Sequence, residues 1–333
     1  MPGQSWQLDS SGAYFSNNLL SKSLRTIAQP MTRFRQFCDM QREFNSHEGQ
    51  KLLFNKVGNV EVEGGKLAEG VPIPRNGLKI AQGECIASMY GASVPWTEEF
   101  ETYSEFTVAD PIQNALMNDA AKYLDRAAYG AFSATKVRYV PLDGKDPGHA
   151  DQWSTDGTAP AGTRRAMTPA DYVAVSDAMQ EGNYGGALSA PVPAYDSKQN
   201  YICIGSISAL RALQNPQGSG ELSMREDLQY GDPSRLLSGE VGTWQGVRFV
   251  SENHLLGRLK NADGTDSGLG GEAYMFGSQA AMECQVTALE VRRGIPGDFG
   301  RDRAMAAVYC GGFSIIWEYD AATEPDNRIV RIG

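Results

Sequence analysis

The residue types that most often perform chemistry are few in this chain of 333 residues, and they do not cluster in the sequence. None of the three histidines, His47, His149 and His254, has a second ligand at the spacing of a metal site. Neither a G-x-S-x-G nucleophile motif nor a G-x-x-x-x-G-K-S/T phosphate loop occurs. The sequence therefore predicts no catalytic residue, no cofactor-binding residue and no metal site, and we expect a protein that is not an enzyme.

One loop has a faint likeness to a calcium-binding loop. It places Asn261, Asp263 and Thr265 ahead of Glu272. The sixth position, however, is Asp266, where a calcium loop needs glycine for its sharp turn. We therefore expect no functional calcium site in this loop. The acids of the other polar loop are interpreted as solvated surface charge; they are Asp143, Asp146, Asp151 and Asp156.

The cysteines indicate a protein made in a reducing compartment. The five thiols are far apart in the sequence, odd in number and without a C-x-x-C pair, so neither a disulfide framework nor a zinc site is expected. We expect most of them to pack as small core residues. They are Cys38, Cys85, Cys203, Cys284 and Cys310.

The overall charge argues against a protein whose main task is to grip nucleic acid. The net charge is -10 and the sequence pI is about 4.9, whereas such proteins carry a basic footprint. The N-terminus lacks the basic region and apolar core of a secretory signal. The longest weakly polar run, 304–317, is too short to cross a bilayer, so no membrane association is expected.

The strongest secondary-structure signal is a helix predicted over 111–134. Asp110 can cap its start, Pro111 suits its first turn, and apolar residues then recur at every fourth position from Ile112 to Phe132. The opposite face is expected to be polar and solvent-exposed. It would carry Asn118, Asp119, Lys122, Asp125 and Arg126. A second, short amphipathic helix is predicted over 32–44 from the spacing of its aromatic residues.

Ahead of the long helix, the pattern of 51–98 predicts an extended β-hairpin. Apolar and polar residues alternate from Val60 to Glu63, turn residues crowd the tip, and a second arm runs from Leu78 to Met89. A ribbon of two strands is only marginally stable in water, so this hairpin needs another surface to lie on.

The charges at the two ends of the hairpin are opposite. A basic tip and an acidic root cannot easily meet within one extended molecule, so we expect them to meet between neighbouring copies. The tip candidates are Lys66, Arg75 and Lys79, and the root candidates are Glu98, Glu99, Glu101 and Glu105.

The order of these elements resembles the major capsid proteins of phages with the Hong Kong 97-type fold, and more narrowly the family typified by phage N4. The resemblance covers about 45–333 and rests on four segments taken together. They are "GQKLLFNKVGNVEVEGGKLAEGVPIP", "YLDRAAYGAFSATKVRYV", "SGEVGTWQGVRFVSE" and "AVYCGGFSIIWEY".

This resemblance implies an α+β fold with an N-terminal arm, an extended hairpin loop, a long spine helix, a peripheral sheet and an inserted axial α/β domain. The implied divisions are an arm at 1–50, the hairpin at 51–98, a peripheral domain at 99–167, the axial domain at 168–291 and returning peripheral strands at 292–333.

The resemblance further implies a structural role without cofactors. Copies of the chain would form hexamers and pentamers of an icosahedral virion shell, assembled in the host cytoplasm, that encloses double-stranded DNA with little specific binding. A separate scaffolding protein and a portal are implied partners, and a decoration protein is a possible one.

Two alternatives stay open from the sequence. A cellular nanocompartment shell of the encapsulin kind would have the same fold but would carry an enzyme cargo. An acidic oligomeric α/β enzyme would use the hairpin as a dimerisation arm and would need a pocket with a perturbed acid or base.

Overall fold

The computed structural model describes residues 32–41, 49–60, 65–66, 73, 75, 77–104, 107–214, 240–256, 258–260, 266–320 and 326–333. In chain order, the strands are β1 (Asp39–Gln41), β2 (Lys51–Val60), β3 (Leu78–Ile86), β4 (Ser88–Thr97), β5 (Arg138–Tyr139), β6 (Trp153–Ser154), β7 (Asn183–Tyr184), β8 (Ala187–Leu188), β9 (Tyr201–Ser206), β10 (Glu240–Trp244), β11 (Val247–Glu252), β12 (Arg258–Lys260), β13 (Asp266–Gly271), β14 (Ala273–Phe276), β15 (Ala281–Arg293), β16 (Asp302–Ile315) and β17 (Ile329–Ile332). The helices are α1 (Glu98–Tyr103), α2 (Ala109–Ser133), α3 (Pro169–Glu181) and α4 (Ile207–Gln214).

A four-stranded sheet of order β1-β15-β16-β4 carries the long helix. Strands β15 and β16 form an extended antiparallel pair, and β4 runs antiparallel along the other edge of β16. Helix α2 packs against this sheet through buried Leu116 and Ala120, which lie in one apolar cluster with Trp96 and Met305. The predicted helix at 111–134 is therefore confirmed, and its apolar stripe faces inward.

The predicted polar face of this helix is wrong at one position. Asp125 is only 1% exposed, because the chain segment ahead of β1 crosses the helix there. The backbone N–H of Arg35 donates to Asp125 Oδ1 at 3.1 Å. Asp119 and Arg126 are exposed, as the periodicity predicts.

The segment 32–44 is not the predicted amphipathic helix. It contains a single 3₁₀ turn at Arg35–Phe37 and then β1, and residues 42–44 lie outside the described part. Strand β1 pairs in parallel with β15, from Asp39↔Met282 to Gln41↔Cys284. Long-range pairing with a strand that is distant in sequence has outcompeted the local helical pattern.

The second sheet has seven strands in the order β10-β11-β9-β14-β17-β5-β6. Every residue of β9 is buried, and helices α3 and α4 cover the apolar cluster that contains Cys203, Tyr172 and Leu210. Strands β5 and β6 come from the predicted peripheral segment 99–167, and β17 comes from 292–333. These strands complete a sheet whose other strands belong to 168–291, and the domain limits themselves stay a prediction.

Strands β2 and β3 form the predicted extended hairpin. They pair antiparallel from Lys51↔Ile86 to Val60↔Leu78 in a sheet of two strands. The second arm ends earlier than predicted, since Met89 belongs to β4 in the four-stranded sheet. In the described part of the chain, no helix is long and apolar enough to span a membrane.

Candidate assembly surfaces

The hairpin has an inner face that packs on its own subunit and an outer face that does not. On the inner face, Leu52 and Phe54 pack against buried Met282 of β15. Gly83 lies opposite Phe54, and a Cβ at this glycine would come within 2.3 Å of the ring, so a side chain there would require the Phe54 ring to move.

The outer face of the hairpin is rich in exposed apolar side chains. Leu53 is 57% exposed, Val57 58% and Ile80 64%, and the register places Val57 directly opposite Ile80. The same face also carries the hydrogen-bonded pair Asn55 and Gln82. Single exposed apolar residues are ordinary, but several large ones on one ribbon face, mixed with polar groups, are typical of a contact surface.

The root of the hairpin is fixed to the four-stranded sheet. The Ser314 hydroxyl of β16 donates to the carbonyl of Glu84 at 2.9 Å. Within the hairpin root, the Ala87 N–H donates to the carbonyl of Gln50 at 2.9 Å. Gly312 allows the closest approach, because a Cβ there would lie 2.1 Å from the carbonyl oxygen of Ile86. The hairpin therefore projects from a defined base.

Trp317 makes cation–π contacts with two basic side chains next to the root of the hairpin. Lys56 Nζ of β2 lies 5.7 Å from the ring centroid of Trp317, and the Arg328 guanidinium carbon lies 4.4 Å from it. A groove of about 420 Å³ runs next to Trp317 between β2 and the edge that bears Asp39 and Gln41. The Lys56 contact joins β2 to the chain segment that follows β16.

The structure describes only some of the basic tip candidates. Lys66 and Arg75 are exposed, and they are far from the acidic root in sequence. Lys79 lies in β3, and its side chain is outside the described part. Most other tip residues are also outside the described ranges.

The acidic root is the short helix α1, and a base that the sequence did not single out neutralises part of it. Arg303 of β16 contacts Glu98 at 2.9 Å and Glu101 at 2.7 Å. Trp96 Nε1 donates to Glu101 Oε2 at 3.1 Å. This hydrogen bond, together with Arg303, lowers the pKa of the Glu101 carboxyl.

Two root candidates remain, Glu99 and Glu105. Glu99 is exposed on the same helix, and Glu105 lies outside the described residues. The contact between the basic tip and the acidic root stays a prediction. No local pattern marks Arg303 as the partner of α1, because it lies about 200 residues away on another strand.

The N-terminal segment is anchored to the sheet by buried charge. Arg35 binds the carboxylate of Glu283, which is 1% exposed, and the Tyr309 hydroxyl donates to the same carboxylate at 2.6 Å. Burial and the bond to Glu283 raise the pKa of the Tyr309 hydroxyl. The segment 32–41 therefore docks on the sheet of its own subunit.

Among the described residues, no group of three or more histidine, cysteine, aspartate or glutamate side chains is placed to hold a metal ion. His149 caps a 3₁₀ turn by accepting from the Asp151 N–H, and His254 follows β11 in a half-buried position. His47 and the residues 261–265 of the calcium-like loop are outside the described part.

Comparisons with known proteins find similarity in structure alone. No protein-family model matches the sequence, and no curated protein is significantly similar to it. The capsid structure of the cyanophage P-SCSP1u shares 15% identity over 99% of this chain and 96% of its own, with a TM-score of 0.59. The capsid of Helicobacter pylori bacteriophage KHP30 gives a TM-score of 0.65 at 11% identity, covering 94% of this chain and 93% of that one.

The capsid of Ralstonia phage GP4 is similar over the same extent. It shares 14% identity, covers 95% of this chain and 94% of its own, and has a TM-score of 0.62. Matches over the whole length of both chains define the architecture of the molecule. The chain has the α+β, Hong Kong 97-type fold of phage capsid proteins.

Proposed function

We propose that this chain is the major capsid protein of a tailed phage, a structural subunit that self-assembles into an icosahedral shell around double-stranded DNA. The supporting observation is the end-to-end structural match, which covers 99% of this chain and 96% of a cyanophage capsid chain. The finer resemblance to the phage N4 family is part of the same proposal and rests on the sequence segments alone.

The hairpin supplies a mechanism for assembly. Its outer face carries Leu53, Val57 and Ile80 with more than half of each side chain exposed, and no third strand pairs with the ribbon in the described part of the chain. A neighbouring subunit would cover this face and remove its apolar area from water. Such a contact joins two different surfaces, so repeating it around an axis closes rings of five and six copies.

Charge would set the register of that contact. In this proposal, Lys66, Arg75 or Lys79 of one hairpin tip meets the acidic root of the neighbour. Because Arg303 already engages Glu98 and Glu101, the incoming base joins an existing charge network. Exposed pairs contribute little energy individually, so the expected effect is on orientation and assembly rate.

The acidic surface suits a container for DNA. With a net charge of -10, the chain lacks the counterion-release drive for tight non-specific binding, so packaged DNA would be enclosed without being gripped. A separate scaffolding protein and a portal complete the proposed assembly in the host cytoplasm, with a decoration protein as a further candidate partner.

The test is negative-stain electron microscopy of the protein expressed with and without its genomic neighbours. Closed particles, or rings of five and six subunits, are the expected result. Particles that carry one enzyme cargo and no genome would favour the nanocompartment alternative. A uniform monomer or dimer under every condition would overturn the shell proposal and favour the enzyme alternative.

A further inference from the structure

We propose that Cys85 and Cys284 are a modification site: they form an intrachain disulfide when the assembled shell leaves the reducing cytosol, and this bond locks the hairpin to its sheet. The role of the lock rests on the proposed shell function, whereas the bond itself can be tested on the isolated chain.

The two thiols lie in one small buried cluster. Cys85 is in β3, one residue before the end of the hairpin, and Cys284 is in β15 of the four-stranded sheet. Both side chains are 0% exposed, and they share an apolar cluster with Met282. Neither is bonded to another cysteine in this structure.

The absence of a side chain at Gly312 of β16 lets strand β3 come close to the sheet at this point. A Cβ placed on Gly312 would lie 2.1 Å from the carbonyl oxygen of Ile86 and 3.2 Å from the sulfur of Cys284. The residue that follows Cys85 and the sulfur of Cys284 therefore both touch one glycine. The hairpin crosses the sheet where the two thiols meet.

The two thiols differ in acidity because their surroundings differ. A hydrogen bond with Cys85 lowers the pKa of the Cys284 thiol, and the Gly312 N–H adds to the effect. The pKa of the Cys85 thiol is raised by the same hydrogen bond and by burial. Cys284 is thus the better nucleophile of the pair, since the thiolate is the reactive form.

The reaction needs an oxidant, and a low-molecular-weight disulfide supplies it. The Cys284 thiolate attacks one sulfur of that disulfide, forms a mixed disulfide and releases one small thiolate. That thiolate takes the Cys85 proton, and the Cys85 sulfur then displaces the second small thiol from Cys284. Two protein thiols are oxidised, and one external disulfide is reduced to two thiols.

Burial controls when this happens. Because both sulfurs are buried, the oxidant reaches them only when the hairpin root lifts from the sheet. A reducing cytosol keeps the thiols free while subunits assemble and the hairpin adjusts. Once oxidised, the root can no longer lift, so a shell that has left the cell loses this freedom.

The test incubates the purified full-length chain with oxidised glutathione, both as free subunits and as particles, and follows it by non-reducing tryptic mass spectrometry. The expected product joins the peptides 80–122 and 261–292 with the loss of two hydrogens. Two of the five thiols should become unreactive after unfolding. The matched variants are Cys85→Ser, which should lose no thiol, and Cys310→Ser, which should form the same bond as the wild type.

The outcomes separate the bond from the function. Oxidised wild-type particles should release subunits at a higher denaturant concentration than reduced ones, and the Cys85→Ser particles should show no such shift. Both thiols still reactive after prolonged oxidation, or Cys85 joined to Cys38 instead, would overturn the proposal. Oxidised particles that carry the bond but release subunits at the same denaturant concentration as reduced particles would refute the lock and leave the shell function standing. A bond in a chain that never forms particles would refute the shell function alone.

Discussion

Arg35 and Glu283 form a bidentate ion pair that fastens the segment ahead of β1 to strand β15. Arg35 Nη2 lies 2.7 Å from Glu283 Oε1, and Arg35 Nε lies 3.1 Å from Glu283 Oε2. The Glu283 side chain is 1% exposed and the Arg35 side chain 28%, so the pair is largely removed from water.

Removing one partner of this pair should be costly. We expect Arg35→Ala to lower the free energy of unfolding by roughly 3 kcal/mol, because it leaves a buried carboxylate without its cation. Urea unfolding of the subunit measures this. Lys51→Ala is the control, since the Lys51–Glu84 pair is exposed and should change the free energy by less than about 1 kcal/mol. An equal loss in both variants would contradict a special role for Arg35.

A double variant distinguishes the effect of an unpaired buried charge from the effect of lost packing. Replacing both partners with apolar residues, as in Arg35→Met with Glu283→Leu, should restore much of the stability that Arg35→Ala loses. The reason is that no unpaired charge is left inside. A double variant as unstable as the single one would show that packing, and not charge, dominates here.

Asp125 should make the stability of the arm contact depend on pH. Burial raises the pKa of this carboxyl above its ordinary value of 3.8, despite the backbone N–H groups of residues 33–35 that donate to it. A raised acid pKa means that the stabilising contribution is fully present below the unfolded pKa and is lost as pH rises through the folded pKa. The free energy of unfolding of the wild type, relative to Asp125→Asn, should therefore fall as pH rises above about 4, by at most about 1.4 kcal/mol per pH unit.

Urea unfolding of both proteins between pH 4 and neutrality measures this difference. Asp119→Asn on the exposed side of the same helix is the control and should run parallel to the wild type. A difference between the wild type and Asp125→Asn that stays constant over the whole range would contradict the prediction.

The spine helix should not tolerate a charge on its inner face. Leu124 is 0% exposed, so Leu124→Asp should destabilise the chain by roughly 3–5 kcal/mol and prevent soluble expression. Met117 of the same helix is 40% exposed, and Met117→Asp should leave the fold intact. Circular dichroism and soluble yield report both. A folded, soluble Leu124→Asp protein would show that the helix packs by another face.

The outer face of the hairpin should matter for assembly and not for folding. Ile80→Asp places a charge on a side chain that is 64% exposed, so the thermal midpoint of the free subunit should change little. Particle yield should fall at least tenfold if a neighbour covers this face. Leu188→Asp, at a residue 70% exposed in the β7–β8 turn region, is the control for a surface charge elsewhere. Normal particles from Ile80→Asp would show that no neighbouring subunit covers the outer face of the hairpin at this residue.

Charge reversal at the tip tests the proposed register. Arg75→Glu should slow particle formation, more strongly at low salt, while the subunit stays folded, because like charges would then face each other across the contact. Lys198→Glu changes the net charge equally at an exposed loop position and should assemble as the wild type does. Light scattering measures the assembly rate of both variants. Normal kinetics from Arg75→Glu would contradict a role for Arg75 in a contact between the basic tip and the acidic root of a neighbour.

Local patterns predicted the elements well where those elements are self-contained. The four-residue apolar repeat placed the spine helix within two residues at its start and one at its end, and the alternation around Val60 predicted the hairpin. Both signals come from periodicity along one element, which the sequence displays directly.

The errors arose where distant segments meet. The helical periodicity predicts that Asp125 is exposed, but the backbone of residues 33–35 covers it. Strand β1 forms because it pairs with the distant strand β15. No local sequence pattern identifies Arg303 as the ion-pair partner of α1. The meeting of Cys85 with Cys284 likewise depends on how the hairpin crosses the sheet, which no spacing in the sequence encodes.

A cryo-electron microscopy map of the assembled particle tests the central claim most directly. The proposal predicts that the β2–β3 ribbon of each subunit lies on a neighbouring subunit, with Leu53, Val57 and Ile80 buried in that contact. Particles in which the outer face of the ribbon stays in solvent, or a protein that remains a monomer with the ribbon folded onto its own subunit, would contradict it.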